Sequence, residues 1–150
     1  VQGDEPLINP KMIDSAIKPF LTNKKPDCST LVQAITQGEE ATLRNPNVVK
    51  VVLDREGFAM YFSRSPIPYL RNTEANVKFY RHIGLYAFRR ETLLAFTKLR
   101  PSMLEQAESL EQLRLLENGY RIKCVETKLE SQAVDTMEDL EKVRKMIKQK

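Results

Sequence analysis

The chain has 150 residues, 41% hydrophobic and 29% charged, with 24 Lys and Arg against 20 Asp and Glu for a formal charge of +4. That supports one domain with a proper core. The two cysteines lack CxxC spacing, there is no Trp and no interleaving of basic and aromatic residues, and no apolar run reaches membrane-spanning length. This argues against a zinc or redox centre, a nucleic-acid surface and a transmembrane segment.

The first six residues, Val1-Gln2-Gly3-Asp4-Glu5-Pro6, read as a strand running out into an acidic turn. Val1 resembles the middle of a strand, so the chain is expected to be the C-terminal part of a larger protein. Gly3 permits a close backbone approach and Pro6 ends the ladder. A carboxylate at the C-terminal end of a strand lies where α/β sheets bind ligands, which makes Asp4 a candidate metal ligand. Two adjacent acids also serve simply to solvate a turn.

Asn9-Pro10 starts a helix, with Asn as the N-terminal cap and Pro in the first turn. Apolar pairs at Met12/Ile13, Ala16/Ile17 and Phe20/Leu21 carry it towards Pro26. Residues 30–36 form a buried strand, and 37–47 a loop or short helix. Residues 48–53 and 58–63 flank Asp54-Arg55-Glu56-Gly57 as a hairpin. Pro66 and Pro68 then force an extended path that holds Arg64 at the mouth of the sheet, and 71–78 is a polar loop.

Residues 79–88 form a strand whose period of two puts His82, Gly84 and Tyr86 on one face. Imidazole, bare backbone and phenol suit a polar ligand better than a dry core, although a solvated sheet face has the same composition. A short helix covers 91–99. A second begins at Ser102 with a capping box to Glu105 and carries Leu104, Ala107, Leu110, Leu113 and Leu116 as its apolar stripe, ending at Asn118-Gly119. Glu111 and Gln112 fall near the edge of that stripe. Residues 120–127 form a strand leading towards Val134-Asp135-Thr136, a second acidic strand end. The last helix buries Leu140, Val143 and Met146/Ile147. Its basic end at Lys142, Arg144, Lys145, Lys148 and Lys150 complements the helix dipole. Thr136 can cap this helix, which leaves Asp135 free for another role. The predicted class is a mixed α/β sheet with flanking helices in a single domain spanning 1–150.

Five segments in this order carry a resemblance: Gln2-Gly3-Asp4-Glu5-Pro6, Tyr61-Phe62-Ser63-Arg64-Ser65-Pro66-Ile67-Pro68, His82-Ile83-Gly84-Leu85-Tyr86, Leu110-Glu111-Gln112-Leu113-Arg114, and Val134-Asp135-Thr136 with Glu138-Asp139-Leu140. Together they resemble the C-terminal portion of the 3-deoxy-manno-octulosonate (Kdo) cytidylyltransferases. The resemblance implies part of a Rossmann-like nucleotidyltransferase fold that moves CMP from CTP to the anomeric hydroxyl of Kdo, with Mg²⁺, in a cytoplasmic homodimer serving lipopolysaccharide assembly. By motif, Asp4 and Asp135 would hold the metal, while Gln2, Arg64, His82, Tyr86, Glu111 and Gln112 would line the sugar site. Two departures stand out. The N-terminal strand and basic phosphate loop of the family are not in this sequence, nor are most of the cytosine and triphosphate contacts. Ser131-Gln132-Ala133 stands where the family usually shows His-Gly. Alternatives are a cytidylyltransferase for another acidic sugar, such as 8-amino-Kdo or a sialic acid, and a non-catalytic sugar-binding or dimerisation module.

Overall fold

The computed structural model describes residues 6–22, 26–36, 38–129, 134 and 136–148, with only the backbone of Asp139 and Lys148. Its sheet is built from β1 (Cys28–Ile35), β2 (Lys50–Leu53), β3 (Ala59–Ser63), β4 (Phe79–Phe88) and β5 (Ile122–Glu126), in the spatial order β3-β2-β4-β1-β5. β1 and β5 run parallel, while the β1–β4, β2–β3 and β2–β4 pairings are antiparallel. The mixed sheet predicted from sequence is therefore present. The parallel partners β1 and β5 are far apart in the chain, with β2–β4 and the helices between them, and the hairpin supplies antiparallel neighbours.

Helix α1 (Pro10–Ile17) opens as the sequence dictates, with the Asn9 side chain accepting the Lys11 N–H at 3.0 Å. A 3₁₀ turn at Lys18–Leu21 ends it. The apolar face of α1 places Met12 and Ala16 against Leu31, Ile83 and Leu85 on one side of the sheet. On the other side, Cys28, Val32, Val51 and Phe62 pack against Leu110, Leu113 and Leu115. Burial pushes the Cys28 thiol far up and the Cys124 thiol to about 12, so both stay protonated as small core residues.

The hairpin turn is as expected: Asp54 accepts the N–H groups of Glu56 and Phe58 at 2.8 Å each, and Gly57 takes φ 75°. Its tip folds across to β5, where the Cys124 N–H donates to the Gly57 carbonyl at 2.9 Å. Arg121 lies 3.8 Å over the Phe58 ring and Lys123 5.1 Å from it.

Three local expectations need correction. First, α2 (Glu40–Arg44) and α3 (Arg90–Phe96) precede not one long helix but two short ones, α4 (Met103–Glu108) and α5 (Gln112–Glu117). The break sits at Ser109, in the left-handed region at φ 53°, because the Glu108 carboxylate is bound to β3 rather than facing solvent. Ala107 is therefore exposed and Glu105 buried, with the Glu105 carboxylate paired to Arg114. Second, the β1–β4 register jumps from Thr30↔Tyr86 to Leu31↔Ile83, so Gly84 and Leu85 lie in a bulge rather than in plain alternation. Third, α6 (Met137–Lys148) buries Val143, but Met146 and Ile147 are exposed.

Candidate functional site

Strand β4 supplies the centre of the site. His82 and Tyr86 lie on the same side, one before and one after the bulge, with ring centroids 5.3 Å apart. Phe62 of β3 meets the His82 ring edge-on at 5.1 Å. Tyr86 stacks on Phe88 at 5.8 Å, Phe88 on Phe96 of α3 at 6.2 Å, and Arg114 caps Phe96 at 4.8 Å. This aromatic ladder fixes the two polar rings without consuming all their polar atoms. Thr30 of β1, fully buried, sits with its hydroxyl oxygen 2.9 Å from His82 Nε2.

Burial lowers the His82 pKa to about 4, so the imidazole is neutral at physiological pH. Burial also raises the Tyr86 phenol well above its ordinary value, assisted by Cys28, Cys124 and the Glu111 carboxylate. The site therefore offers neutral hydrogen-bonding groups, with charge at its rim. Glu111 occupies the position just before α5 and is exposed, and Gln112 begins the helix at 7% exposure. The Gln112 amide makes no hydrogen bond within the described residues, and its polar atoms are open to solvent or a ligand.

Arg64 follows β3 and is held by backbone. Its Nε donates to the Glu108 carbonyl at 2.8 Å, one terminal nitrogen to the Pro46 carbonyl at 3.0 Å, and the other to the Ser109 carbonyl at 3.4 Å. Three of its five N–H donors are thus committed, which orients the guanidinium and leaves two for a ligand. Beneath it lies Lys50, fully buried, whose ammonium donates to the carbonyls of Asn45 at 2.9 Å, Val48 at 2.6 Å and Arg64. Ser63 Oγ, at 2.6 Å, and the Arg64 N–H, at 2.9 Å, close on the Glu108 carboxylate.

Of the residues singled out from sequence, His82 and Tyr86 are in ring contact on β4, the Glu111 charge acts on the Tyr86 phenol, Arg64 is bonded to the end of α4 and the Ser109 carbonyl, and Gln112 is the first residue of α5. Gln2, Asp4 and Asp135 lie outside the described residues. Among the described residues no three His, Cys, Asp or Glu side chains gather to hold a metal, and no helix is long and apolar enough to cross a membrane. The supporting set of Thr30, Lys50, Phe62 and Glu108 was not read from sequence. A buried Lys in a strand and a Thr opposite a Gly-containing strand were its only signals. A separate cavity of about 550 Å³ opens between the end of α1 and the hairpin tip, lined by Lys18, Thr22, Phe58 and Lys123 among others, away from these residues.

The cytidylyltransferase family model matches residues 1–140. A 3-deoxy-manno-octulosonate cytidylyltransferase from Chloroherpeton thalassium is 63% identical over 150 residues, which is all of this chain and 61% of that protein. One from Chlorobaculum tepidum is 58% identical over 151 residues, again covering 61% of its length. A solved structure of CMP:2-keto-3-deoxy-manno-octonic acid synthetase complexed with CTP is 42% identical and superposes with a TM-score of 0.89, covering 99% of this chain and 60% of that one. The chain therefore spans about three-fifths of the length of the relatives it matches.

Proposed function

The chain belongs to the cytidylyltransferase family, and from that premise we propose that it forms the sugar-binding part of an enzyme transferring CMP from CTP to the anomeric hydroxyl of Kdo. The sugar hydroxyl attacks the α-phosphorus of CTP, and pyrophosphate leaves. Such transfers depend on positioning and on charge neutralisation rather than on a protein nucleophile. The observation that carries the reading is the neutral His82–Tyr86 pair, in ring contact and close enough to Glu111 for its charge to act on the phenol. It forms a mixed donor and acceptor set suited to a polyol. The two uncommitted N–H groups of Arg64 suit the sugar carboxylate.

Asp4 and Asp135 would hold Mg²⁺, with Gln2 completing the sugar contacts. Hard carboxylate oxygens are the donor type that Mg²⁺ prefers, and when bound the ion would neutralise charge on the phosphates. The homodimer reading is supported by apolar exposure along β3 and beyond it, at Met60 (63%) and Tyr69 (87%). Cytoplasmic location and a product used in lipopolysaccharide assembly complete the proposal.

The test is pyrophosphate release by the complete protein given CTP, Mg²⁺ and a panel of Kdo, 8-amino-Kdo and N-acetylneuraminate. Kdo should be used with the highest kcat/KM. A hydroxyl-reading site rejects the wrong analogue strongly, so preference for another sugar would replace the substrate, and release with none would remove the activity.

A further inference from the structure

The hydroxyl of Thr30 sits at the β1–β4 bulge with three polar atoms around it: His82 Nε2 at 2.9 Å, the Leu85 carbonyl at 2.9 Å and the Ile83 carbonyl at 3.2 Å. A hydroxyl has one proton to give and lone pairs to receive. The carbonyls can only accept. If Thr30 gave its proton to His82 Nε2, neither bulge carbonyl would receive one from it. If the proton goes to a carbonyl, the oxygen is free to accept from Nε2–H, and both the strand and the ring are served. The second arrangement satisfies more buried groups, and buried polar groups are seldom left unsatisfied.

The ring cannot rotate away easily, since Phe62 and Tyr86 bracket it at 5.1 and 5.3 Å, and its strand is fixed by the His82 backbone N–H, which donates to the Val49 carbonyl at 2.8 Å. Nδ1 makes no hydrogen bond within the described residues. We propose that Thr30 is a positioning residue that keeps the His82 proton on Nε2, so that Nδ1 stands as a bare acceptor for a hydroxyl of the sugar. This rests on the reading of His82 as a sugar contact. It makes the bulge a device for choosing the imidazole tautomer, by which the site prefers a donor hydroxyl at that position of the ligand.

The test is ¹⁵N NMR of the complete protein labelled at histidine, with His82 signals assigned by their loss in His82→Gln. Wild type should show a protonated Nε2 and an unprotonated Nδ1. Thr30→Val should give mixed tautomers and raise KM for Kdo by about tenfold, the effect of one hydrogen bond, with KM for CTP little changed. Thr30→Ser should restore both. A wild-type proton on Nδ1 overturns the proposal, as does a folded Thr30→Val with unchanged tautomer. Should Thr30→Val fail to fold, the wild-type and Thr30→Ser spectra decide alone. Because the spectrum needs no turnover, a protein that uses no acidic sugar would sink the functional reading whatever the tautomer, and a wrong tautomer would sink this one whatever the turnover.

Discussion

Arg64 and Glu108 hold each other twice, the Arg64 N–H on the Glu108 carboxylate at 2.9 Å and the Arg64 Nε on the Glu108 carbonyl at 2.8 Å. The clamp joins the end of β3 to the end of α4, so the loop after the hairpin and the turn before Glu111 and Gln112 move as one piece. The guanidinium is aimed before any ligand arrives, which lowers the ordering cost of binding.

Glu108→Ala should therefore cost stability and sugar affinity together. It strips the acceptor from Ser63 and from the Arg64 N–H, and about 1–3 kcal/mol is expected in urea unfolding. Burial alone would raise the Glu108 carboxyl, but the hydrogen bonds from Ser63, Arg64 and Tyr61 and the Arg64 charge outweigh it and hold it below its ordinary value. A depressed carboxyl stabilises the fold above its unfolded pKa and loses that contribution as pH falls through the folded one. Wild type should accordingly lose more stability between pH 5 and 3 than Glu108→Gln, and parallel curves would contradict the assignment.

Lys50→Met keeps the volume but leaves the Asn45, Val48 and Arg64 carbonyls without their donor. About 2–4 kcal/mol of destabilisation is expected. Lys50→Arg should not rescue it, since a planar fork cannot replace a compact ammonium among three converging carbonyls. Thermal unfolding of both variants checks this.

The pKa of His82 is lowered from 6.5 to about 4 on folding, by burial. The unfolded chain then binds more protons between those values. Stability should rise with pH from 4 to 6.5 and be fully present above. The groups facing the ring are Thr30, Phe62 and Tyr86, none of which titrates in that window. His82 contributes the upper part of that slope, with depressed carboxyls such as Glu108 adding to it below about pH 5, and the His82 part should disappear in His82→Gln, which chemical denaturation across pH 4–7 will measure.

Asp4→Asn and Asp135→Asn in the complete protein should each reduce pyrophosphate release by 10³-fold or more, on the order expected for losing a metal-held phosphate. Unfolding midpoints should stay unchanged, and Mg²⁺ should bind more weakly by titration calorimetry. Wild-type turnover in both variants would remove the metal assignment.

The hairpin, the Asn9-Pro10 helix start and strand β4 were legible because their signals are local: turn residues, caps and alternation. The α4–α5 break was not. Its cause, Glu108 bonded to Ser63 and Arg64, involves partners 44 and 45 positions away, and the leucine stripe runs straight through it. The bulge was likewise hidden, since Thr30 and His82 are 52 positions apart. The shared face of His82 and Tyr86 followed from alternation, whereas Arg64, Glu111 and Gln112 were singled out by motif alone, because their approach to that face depends on the same long-range clamp.

The tip of the hairpin lying across β5 has a further consequence. A strand at the margin of a sheet offers unpaired N–H and C=O groups on which a foreign strand can template. Here the Gly57 carbonyl occupies the outward N–H of Cys124, and Phe58 lies between two cationic side chains. The turn thus guards the β5 edge against strand-on-strand aggregation, and shortening it would be felt first as clumping at high concentration, before any loss of melting temperature.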